Sequence, residues 1–149
     1  MKKAFTMIEL IFVIVILGIL SSVAISKMAV TRDDAEIVKG RAQVAAIRNA
    51  ITLTRNTNML QAMGASWPSA LDDAGANSSD GDSLFDGNST IGTLLDYPLY
   101  AKNSNGHWRK VSGKYIYKVM NQDVNFTYTA SNGQFDCTHT EELCKNLTE

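Results

Sequence analysis

A long apolar segment near the N-terminus constrains this chain more than any other feature of its sequence. Between Ala4 and Ser26 the only charged side chain is Glu9. At about 1.5 Å of rise per residue, a helix over this segment reaches roughly 30 Å, which matches the hydrocarbon core of a bilayer. We therefore predict that residues 5–26 form a membrane-spanning helix.

The charges that precede this segment predict its orientation. Lys2 and Lys3 come before it, and the positive-inside rule keeps that end in the cytoplasm. The rest of the chain is then expected on the outer side of the membrane. A cleaved secretory signal and a plain single-pass anchor are the alternative interpretations. A buried core helix is disfavoured, because few soluble domains could cover so long an apolar helix.

None of these interpretations explains Glu9. A carboxylate in an apolar span costs about 2.5–3.5 kcal/mol at the bilayer centre, and less near its edge. One interpretation is that Glu9, close to the start of the span, reaches the cytoplasmic headgroups. Charges in such positions are otherwise paired or functional, and the residues around Glu9 favour a functional role.

Those residues carry a family resemblance. Residues 2–10, Lys-Lys-Ala-Phe-Thr-Met-Ile-Glu-Leu, resemble the class III signal of type IV prepilins and type II secretion pseudopilins. The resemblance implies that residues 1–4 are a leader peptide, that the prepilin peptidase cleaves between Ala4 and Phe5, and that Phe5 is then N-methylated. Two positions depart from the family pattern, since Ala4 replaces the usual Gly and Ser26 stands where many relatives have Pro.

The resemblance also implies a role for Glu9 in assembly. Cleavage creates an α-amine on Phe5, about one helical turn from Glu9. We expect Glu9 of an incoming subunit to pair with the Phe5 amine of a subunit already in a filament, which offsets part of the cost of desolvating both charges. The apolar helix would then bury its surface against neighbouring helices in an open helical polymer.

The helical pattern continues past the apolar segment. Residues 27–55 contain no proline, and their apolar side chains fall on one helical stripe: Val30, Ile37, Val44, Ile47 and Ile51. Residues 27–63 are therefore predicted to be an amphipathic continuation of the helix that packs on its own globular domain. A short coiled-coil seam is the alternative. Residues 56–58, Asn-Thr-Asn, are expected to fray the helix before a last turn.

The remaining residues, 64–149, are predicted to form a periplasmic globular part. Residues 72–90 are rich in Gly, Asp, Asn and Ser and indicate a long loop. Alternating patterns predict strands over residues 114–120 and 124–130, joined by a turn at residues 121–123. Further strands are expected around residues 107–111 and, after the Asn132-Gly133 turn, around residues 134–136, with a short edge segment in residues 97–100. The predicted class is α+β and type IV pilin-like, with the long N-terminal helix packed on a small antiparallel sheet.

The two cysteines, Cys137 and Cys144, both lie near the C-terminus. The predicted outward topology places them in an oxidising compartment, which favours a disulfide between them. In pilins a disulfide-bounded C-terminal loop shapes the exposed surface, and the polar residues 138–143 could form such a loop here. Zinc held by Cys137, His139 and Cys144 is the alternative, but a fourth ligand is not evident.

Two weaker site candidates lie elsewhere in the globular part. The carboxylates of Asp80, Asp82 and Asp86 have a spacing that could hold calcium, although a solvated loop is the simpler interpretation. Asn88 and Asn125 each begin an Asn-X-Ser/Thr sequon with an acid two residues earlier, which resembles the extended acceptor of bacterial N-glycosylation systems. No other cofactor is predicted.

The sequence gives little support to catalysis or nucleic-acid binding. It contains two histidines, no His-Glu-x-x-His motif and no phosphate-binding glycine loop, and its net charge is −1. We predict a non-enzymatic filament subunit, and we favour a type II secretion pseudopilin over a pilin of a type IV pilus. A membrane-anchored periplasmic binding module is the alternative from another class.

The predicted location and partners follow from the family resemblance. The subunit is expected in the bacterial inner membrane, with a cytoplasmic N-terminus and a periplasmic C-terminal domain, and later in a pseudopilus or pilus. The implied partners are sister subunits, the prepilin peptidase, the assembly platform protein and the assembly ATPase.

Overall fold

A computed structural model describes residues 6–62 and 64–149 of the chain, with side chains for all of these except residues 23–31. Its elements in chain order are α1 (Met7–Leu60), β1 (Ser83–Leu84), β2 (Leu99–Tyr100), β3 (His107–Val111), β4 (Lys114–Val119), β5 (Gln122–Thr129), β6 (Gln134–Cys137) and α2 (Glu142–Thr148). The chain divides into two compact units, with the boundary between Ala35 and Glu36.

Apart from Thr6, the described part of the first unit belongs to helix α1. This helix begins at Met7, where the carbonyl oxygen of Thr6 accepts hydrogen bonds from the backbone N–H groups of Glu9 (3.1 Å) and Leu10 (3.2 Å). These bonds satisfy donors that would otherwise have no partner at a helix start. With 54 residues, α1 confirms the predicted long N-terminal helix.

In the second unit, the remainder of α1 packs on an antiparallel sheet. The predicted apolar stripe is confirmed for Val44, Ile47 and Ile51, which are buried, and for Ile37, which is half-buried. Val30 lies among the residues whose side chains are not described. The stripe repeats every three or four residues, as an amphipathic helix requires.

Gly40 lies on the same stripe and brings α1 close to the sheet. A Cβ atom at this position would lie 2.5 Å from Tyr117 Cε1 and 2.6 Å from Leu147 Cδ2, well inside van der Waals contact. The hydroxyl of Tyr117 donates a 2.7 Å hydrogen bond to the carbonyl oxygen of Glu36, one turn earlier in the helix. A residue without a side chain is therefore needed for this close approach.

The end of α1 differs from the prediction. The helix continues without interruption through residues 56–58, and it ends at Leu60 rather than at residue 63. The guanidinium of Arg55 lies 4.6 Å from the ring centroid of Trp67, so a tertiary contact stabilises this end of the helix. After the helix, Ala62 has a positive φ of 57°, which turns the chain away.

The sheet of the second unit has four antiparallel strands in the order β3-β4-β5-β6. Each strand pairs with the next one along the chain, which confirms the strands predicted for the last third of the sequence. Its inner face meets α1 through large side chains that are at most 3% exposed: Trp108, Tyr115, Tyr117, Val119, Val124, Phe126 and Phe135. Burial of these side chains and of the α1 stripe forms the hydrophobic core.

The turn between β4 and β5 is shorter than predicted and lies one residue earlier. Met120 and Asn121 form it, both with positive φ (52° and 58°), whereas Gln122 and Asp123 belong to β5. Positive φ at both central residues is typical of the hairpin turn that matches strand twist. Glu36 Oε2 accepts a 3.3 Å hydrogen bond from the Met120 N–H, which helps to hold a residue that rarely adopts this conformation.

The predicted loop over residues 72–90 contains a strand and core residues that the sequence analysis missed. Within it, β1 pairs antiparallel with β2, which corresponds to the predicted edge segment. Leu84 and Phe85 are fully buried, and the Phe85 ring stacks on Tyr115 with 4.5 Å between centroids. The loop is therefore a covering layer of the core, because its few apolar residues point inward.

Helix α2 was also not predicted. The expected polar loop over residues 138–143 ends at Glu141, and Glu142 begins the helix. Cys144 and Leu147 lie on the inner side of α2 and are fully buried. Their burial against the core stabilises a helix that is too short to form alone.

Candidate functional site

The first candidate site is the apolar part of α1 in the first unit. Between residues 7 and 20 every large apolar side chain is exposed, from 39% at Ile16 to 80% at Met7. Burying one such side chain stabilises a structure by about 1.5–3 kcal/mol, so this surface has a strong tendency to be covered. Continuous apolar surfaces of this kind mark contacts with a membrane or with another protein.

Glu9 is the charged side chain of this surface, and it lies in the first turn of α1. The helix macrodipole favours an anion at that end. Ile8, Ile11, Phe12 and Val15 lie beside it and line an open groove with it. The carboxylate therefore lies at the start of an apolar helix, and its role in assembly stays a prediction.

Two serines in this part of α1 have their hydroxyls satisfied within the helix. Ser21 Oγ donates to the carbonyl oxygen of Leu17 (2.7 Å), and Ser22 Oγ donates to that of Ile19 (2.8 Å). Hydroxyls that bond back to the preceding turn do not need water or a partner chain. They are therefore compatible with apolar surroundings.

The other N-terminal predictions are the cleavage and methylation positions and the membrane span. Ala4 and Phe5, the predicted cleavage and methylation positions, lie outside the described residues. Over the described residues, no helix combines the length and the apolarity that crossing a membrane requires. The membrane span over residues 5–26 stays a prediction.

The second candidate site lies at the C-terminus, where Cys137 and Cys144 form a disulfide. Their Cα atoms are 5.9 Å apart, and the bond ties the end of β6 to α2. Next to it, Arg48 reaches from α1 and donates to the carbonyl oxygen of Phe135 and to Asp136 Oδ1, both at 2.9 Å. The C-terminal region is thus fixed to the helix as well as to the sheet.

Asp136 lies at the centre of this region. Burial alone would raise the pKa of its carboxyl group, but the opposing contacts outweigh burial. These contacts are hydrogen bonds from the Cys137 N–H, His139 and Gln134, together with the charge of Arg48. The pKa of Asp136 is therefore lowered, and the carboxylate form is favoured.

The acidic loop does not bring its candidate calcium ligands together. Asp80 accepts from the Asn103 N–H (3.1 Å), Asp82 accepts from the Ser79 N–H (2.6 Å), and Asp86 accepts from the Ser83 hydroxyl (2.6 Å). Each carboxylate thus fixes a different part of the loop. Among the described residues, the carboxylate of Asp136 lies close to the sulfur atoms of Cys137 and Cys144, which are bonded to each other.

The two candidate glycosylation positions differ in their local structure. Asn88 lies in a turn, and its Oδ1 accepts from the backbone N–H groups of Thr90 and Ile91, both at 2.9 Å. Asn125 lies exposed in β5, opposite Ile116 of β4. Modification at either position stays a prediction.

A buried polar cluster was missed by the sequence analysis. Asp72 accepts hydrogen bonds from Lys110 Nζ (2.7 Å), the Tyr115 hydroxyl (2.8 Å) and the Phe85 N–H (3.2 Å). Burial, and then the charge of Asp72, raise the pKa of the Tyr115 hydroxyl. The burial of Lys110 could have been predicted from the two-residue period of β3, because Lys110 lies two residues after the buried Trp108 and so shares its inward face.

These features define a class of protein. The long N-terminal helix α1 begins with an exposed apolar surface, and its later part packs against antiparallel strands. This is an α+β layout consistent with a pilin-like fold. Comparison with known families supports the same class: residues 1–25 match the prokaryotic N-terminal methylation motif, the prepilin signal of type IV pilins and pseudopilins. The match supports a type IV pilin-like structural subunit, a class that is processed by the prepilin peptidase and is not enzymatic. Neither a curated protein nor a solved structure matches the chain.

Proposed function

We propose that this chain is a structural subunit of a type IV pilus-like filament, and specifically a pseudopilin of a type II secretion system. The observation that carries the proposal is the exposed apolar surface over residues 7–20 with one carboxylate, Glu9, in its first turn. Such a surface has to be covered, and identical helices from neighbouring subunits can cover it in a polymer.

Glu9 supplies the specificity of this assembly. A partly desolvated carboxylate is costly unless it is paired, and cleavage after Ala4 would provide a cation at the α-amine of Phe5. Pairing between Glu9 of one subunit and Phe5 of its neighbour would set the axial register between them. The apolar contacts, which have no preferred register, would then supply most of the affinity.

Before assembly, residues 5–26 would hold the subunit in the inner membrane. Lys2 and Lys3 favour a cytoplasmic N-terminus, which places the globular unit in the periplasm. The disulfide between Cys137 and Cys144 fits an oxidising compartment of this kind. The assembly platform protein and the assembly ATPase would act on this membrane-held form.

The assignment to a pseudopilus is supported by the small globular unit. Its main sheet has four strands of four to eight residues. A subunit of this size suits a short periplasmic filament. Shearing of intact cells separates the two kinds of filament, since a pilus subunit is released in long surface fibres and a pseudopilin stays with the cells.

Substitution of Glu9 tests the proposal. In cells that carry the assembly machinery, Glu9→Leu should leave cleavage and methylation intact but abolish incorporation into filaments. Glu142→Leu is the matched control, because it makes the same chemical change at an exposed position on α2. The readouts are the mass of the N-terminal peptide and the amount of subunit in the isolated filament.

The outcomes of this test are distinct. Methylated Phe5 with a loss of filaments in Glu9→Leu alone supports the proposal. An intact Met1 in the mature chain points to a plain anchor, and hence to a membrane-anchored binding module. Normal filament yield from Glu9→Leu contradicts the assembly role of the carboxylate.

A further inference from the structure

A polar groove lies in the second unit, between the last turns of α1 and the loop that joins β1 to β2. One wall of this α1 groove is formed by residues 49–61 of the helix, and the other by residues 91–96 of the loop. Its volume is about 730 Å³, within the range of roughly 300–1,000 Å³ that is typical of small-ligand sites. Apolar side chains such as Leu53, Leu94 and Leu95 contribute to its lining.

The helix wall of the groove has an unusual composition for an exposed helix surface. Six of the ten residues 49–58 are asparagine or threonine, which are weak helix formers. The one charged residue among these ten, Arg55, does not line the groove and lies over the ring of Trp67. The wall is therefore polar and uncharged, although this composition weakens the helix. A local preference that is broken in this way is typical of a functional surface.

The side-chain amides on the helix wall are free to bind a ligand. The hydroxyl of Thr57 donates to the carbonyl oxygen of Leu53 (3.0 Å), so its donor is satisfied within the helix. In contrast, the amides of Asn49, Asn56 and Asn58 make no hydrogen bond within the part of the chain that the structure describes. Each amide carries two donor hydrogens and an acceptor oxygen. The wall thus presents donors and acceptors side by side.

The loop wall of the groove is held in a fixed position. The N–H of Leu94 donates to the carbonyl oxygen of Asp86 (3.3 Å), and the N–H of Leu95 donates to that of Phe85 (3.1 Å). Because Phe85 is fully buried, these bonds attach the loop to the core. Asp96 follows and is the charged side chain of the lining. A groove with walls fixed in advance reduces the ordering cost of binding.

We propose that the α1 groove binds a short, uncharged oligosaccharide, an activity that goes beyond the proposed filament function and does not rest on it. Sugar hydroxyls both donate and accept hydrogen bonds, so they match the amides of the helix wall and the carboxylate of Asp96. The apolar faces of sugar rings would pack on Leu53 and Leu95. Tyr97, which is 87% exposed beside Asp96, offers an aromatic ring for the same purpose. An anionic ligand is disfavoured, because Asp96 would repel it.

The test uses the full chain in micelles of a phosphocholine detergent, because a detergent with a sugar headgroup would compete for the groove. A panel of uncharged oligosaccharides of glucose, galactose, mannose and N-acetylglucosamine is screened beside sialylated and uronate-containing oligosaccharides. Isothermal titration calorimetry then gives the Kd of the strongest ligand. We expect saturable binding of an uncharged oligosaccharide, with one site per chain, and weaker binding of the anionic members.

Asn56→Ala and Asn58→Ala separate binding from stability. Alanine is the stronger helix former, so neither substitution should lower the urea midpoint of the globular unit. Each should weaken oligosaccharide binding by about 3–10-fold, because each removes hydrogen bonds to the ligand. Asn125→Ala is the matched control. Asn125 is exposed in β5 and does not line the groove, so this variant should bind like the parent chain.

Three results would overturn the proposal. The first is the absence of saturable binding by every member of the panel. The second is unchanged affinity in both Asn56→Ala and Asn58→Ala, because the ligand would then lie elsewhere. The third is a covalent dimer of the purified chain from a photo-cross-linking residue at Leu53, which would show that a second copy covers the groove. None of these results bears on filament assembly, which is tested at Glu9.

Discussion

Lys110 and Asp72 form a buried ion pair, with Lys110 Nζ 2.7 Å from Asp72 Oδ1 and the Asp72 side chain fully inaccessible to solvent. The pair joins strand β3 to the segment that follows the first helix, across 38 positions of sequence. Lys110 Nζ also donates to the carbonyl oxygen of Ala74 (2.9 Å). These contacts attach the covering loop to the sheet.

Lys110→Met should destabilise the globular unit strongly, because it leaves the buried carboxylate of Asp72 without its cation. Breaking a buried pair in this way costs about 3–5 kcal/mol. Urea unfolding of the full chain in detergent, followed by tryptophan fluorescence, measures the change.

Arg109→Met is the control for this prediction. Arg109 pairs with Asp123 on the outer face of the sheet, where both side chains are partly exposed, and such a pair contributes about 0–1 kcal/mol. If Lys110→Met and Arg109→Met change the free energy of unfolding equally, the buried pair of Lys110 and Asp72 does not stabilise the globular unit more than an exposed pair does.

Gly40→Ala should also destabilise the globular unit. The added Cβ would overlap Tyr117 and Leu147, and overpacking of a core costs about 1–3 kcal/mol. This exceeds the gain of about 0.5–1 kcal/mol that alanine brings to a helix interior. Gly18→Ala has no atom within 4 Å of the new Cβ, so it should leave the urea midpoint of the globular unit unchanged. A Gly40→Ala variant as stable as the parent would show that α1 does not approach the sheet this closely.

The lowered pKa of Asp136 predicts a particular dependence of stability on pH. Because the folded-state pKa lies below the ordinary value of 3.8, the carboxylate contributes stability at higher pH. This contribution is lost as the pH falls through the folded-state pKa. Asp136→Asn should therefore be less stable than the parent at pH 7, and the difference should shrink below about pH 4. Unfolding series at several pH values measure this, and a difference that does not change with pH would contradict it.

Removal of the disulfide should cost less than removal of the buried ion pair. On the chain-entropy model, closing so short a loop contributes about 2–3 kcal/mol. The double variant Cys137→Ser/Cys144→Ser should lose about this amount in urea unfolding. A reducing agent should lower the stability of the parent to the same level and leave the double variant unchanged. Sensitivity of the double variant to the reductant would contradict the assignment.

Local sequence patterns were sufficient for the helix and the main sheet. Strand β5 alternates between buried and exposed residues over most of its length, and Tyr115, Tyr117 and Val119 of β4 share the inner face with the period of two that the sequence shows. The start of α1 could be recognised because an apolar segment with a single acid has few interpretations. The candidate role of Glu9 came from the resemblance of residues 2–10 to the class III signal of type IV prepilins and pseudopilins.

The features that were missed depend on contacts between distant segments. The two-residue strand β1 exists because β2 pairs with it, and no local pattern specifies that partner. Helix α2 has no side-chain cap, so no capping residue marked its start in the sequence. Asp72 belongs to a loop by composition, and its burial depends on Lys110, which lies far away in sequence. Arg55, which precedes residues 56–58 in α1, contacts Trp67 in the same way across a distance in sequence.

The most direct test of filament assembly is a photo-cross-linking residue at Ile14, which is 57% exposed on the apolar surface of α1. In cells with the assembly machinery, irradiation should produce a ladder of covalent multimers of this chain, and Glu9→Leu in the same background should abolish the ladder. A monomeric product alone, under conditions in which filaments of other subunits form, would contradict assembly through this helix.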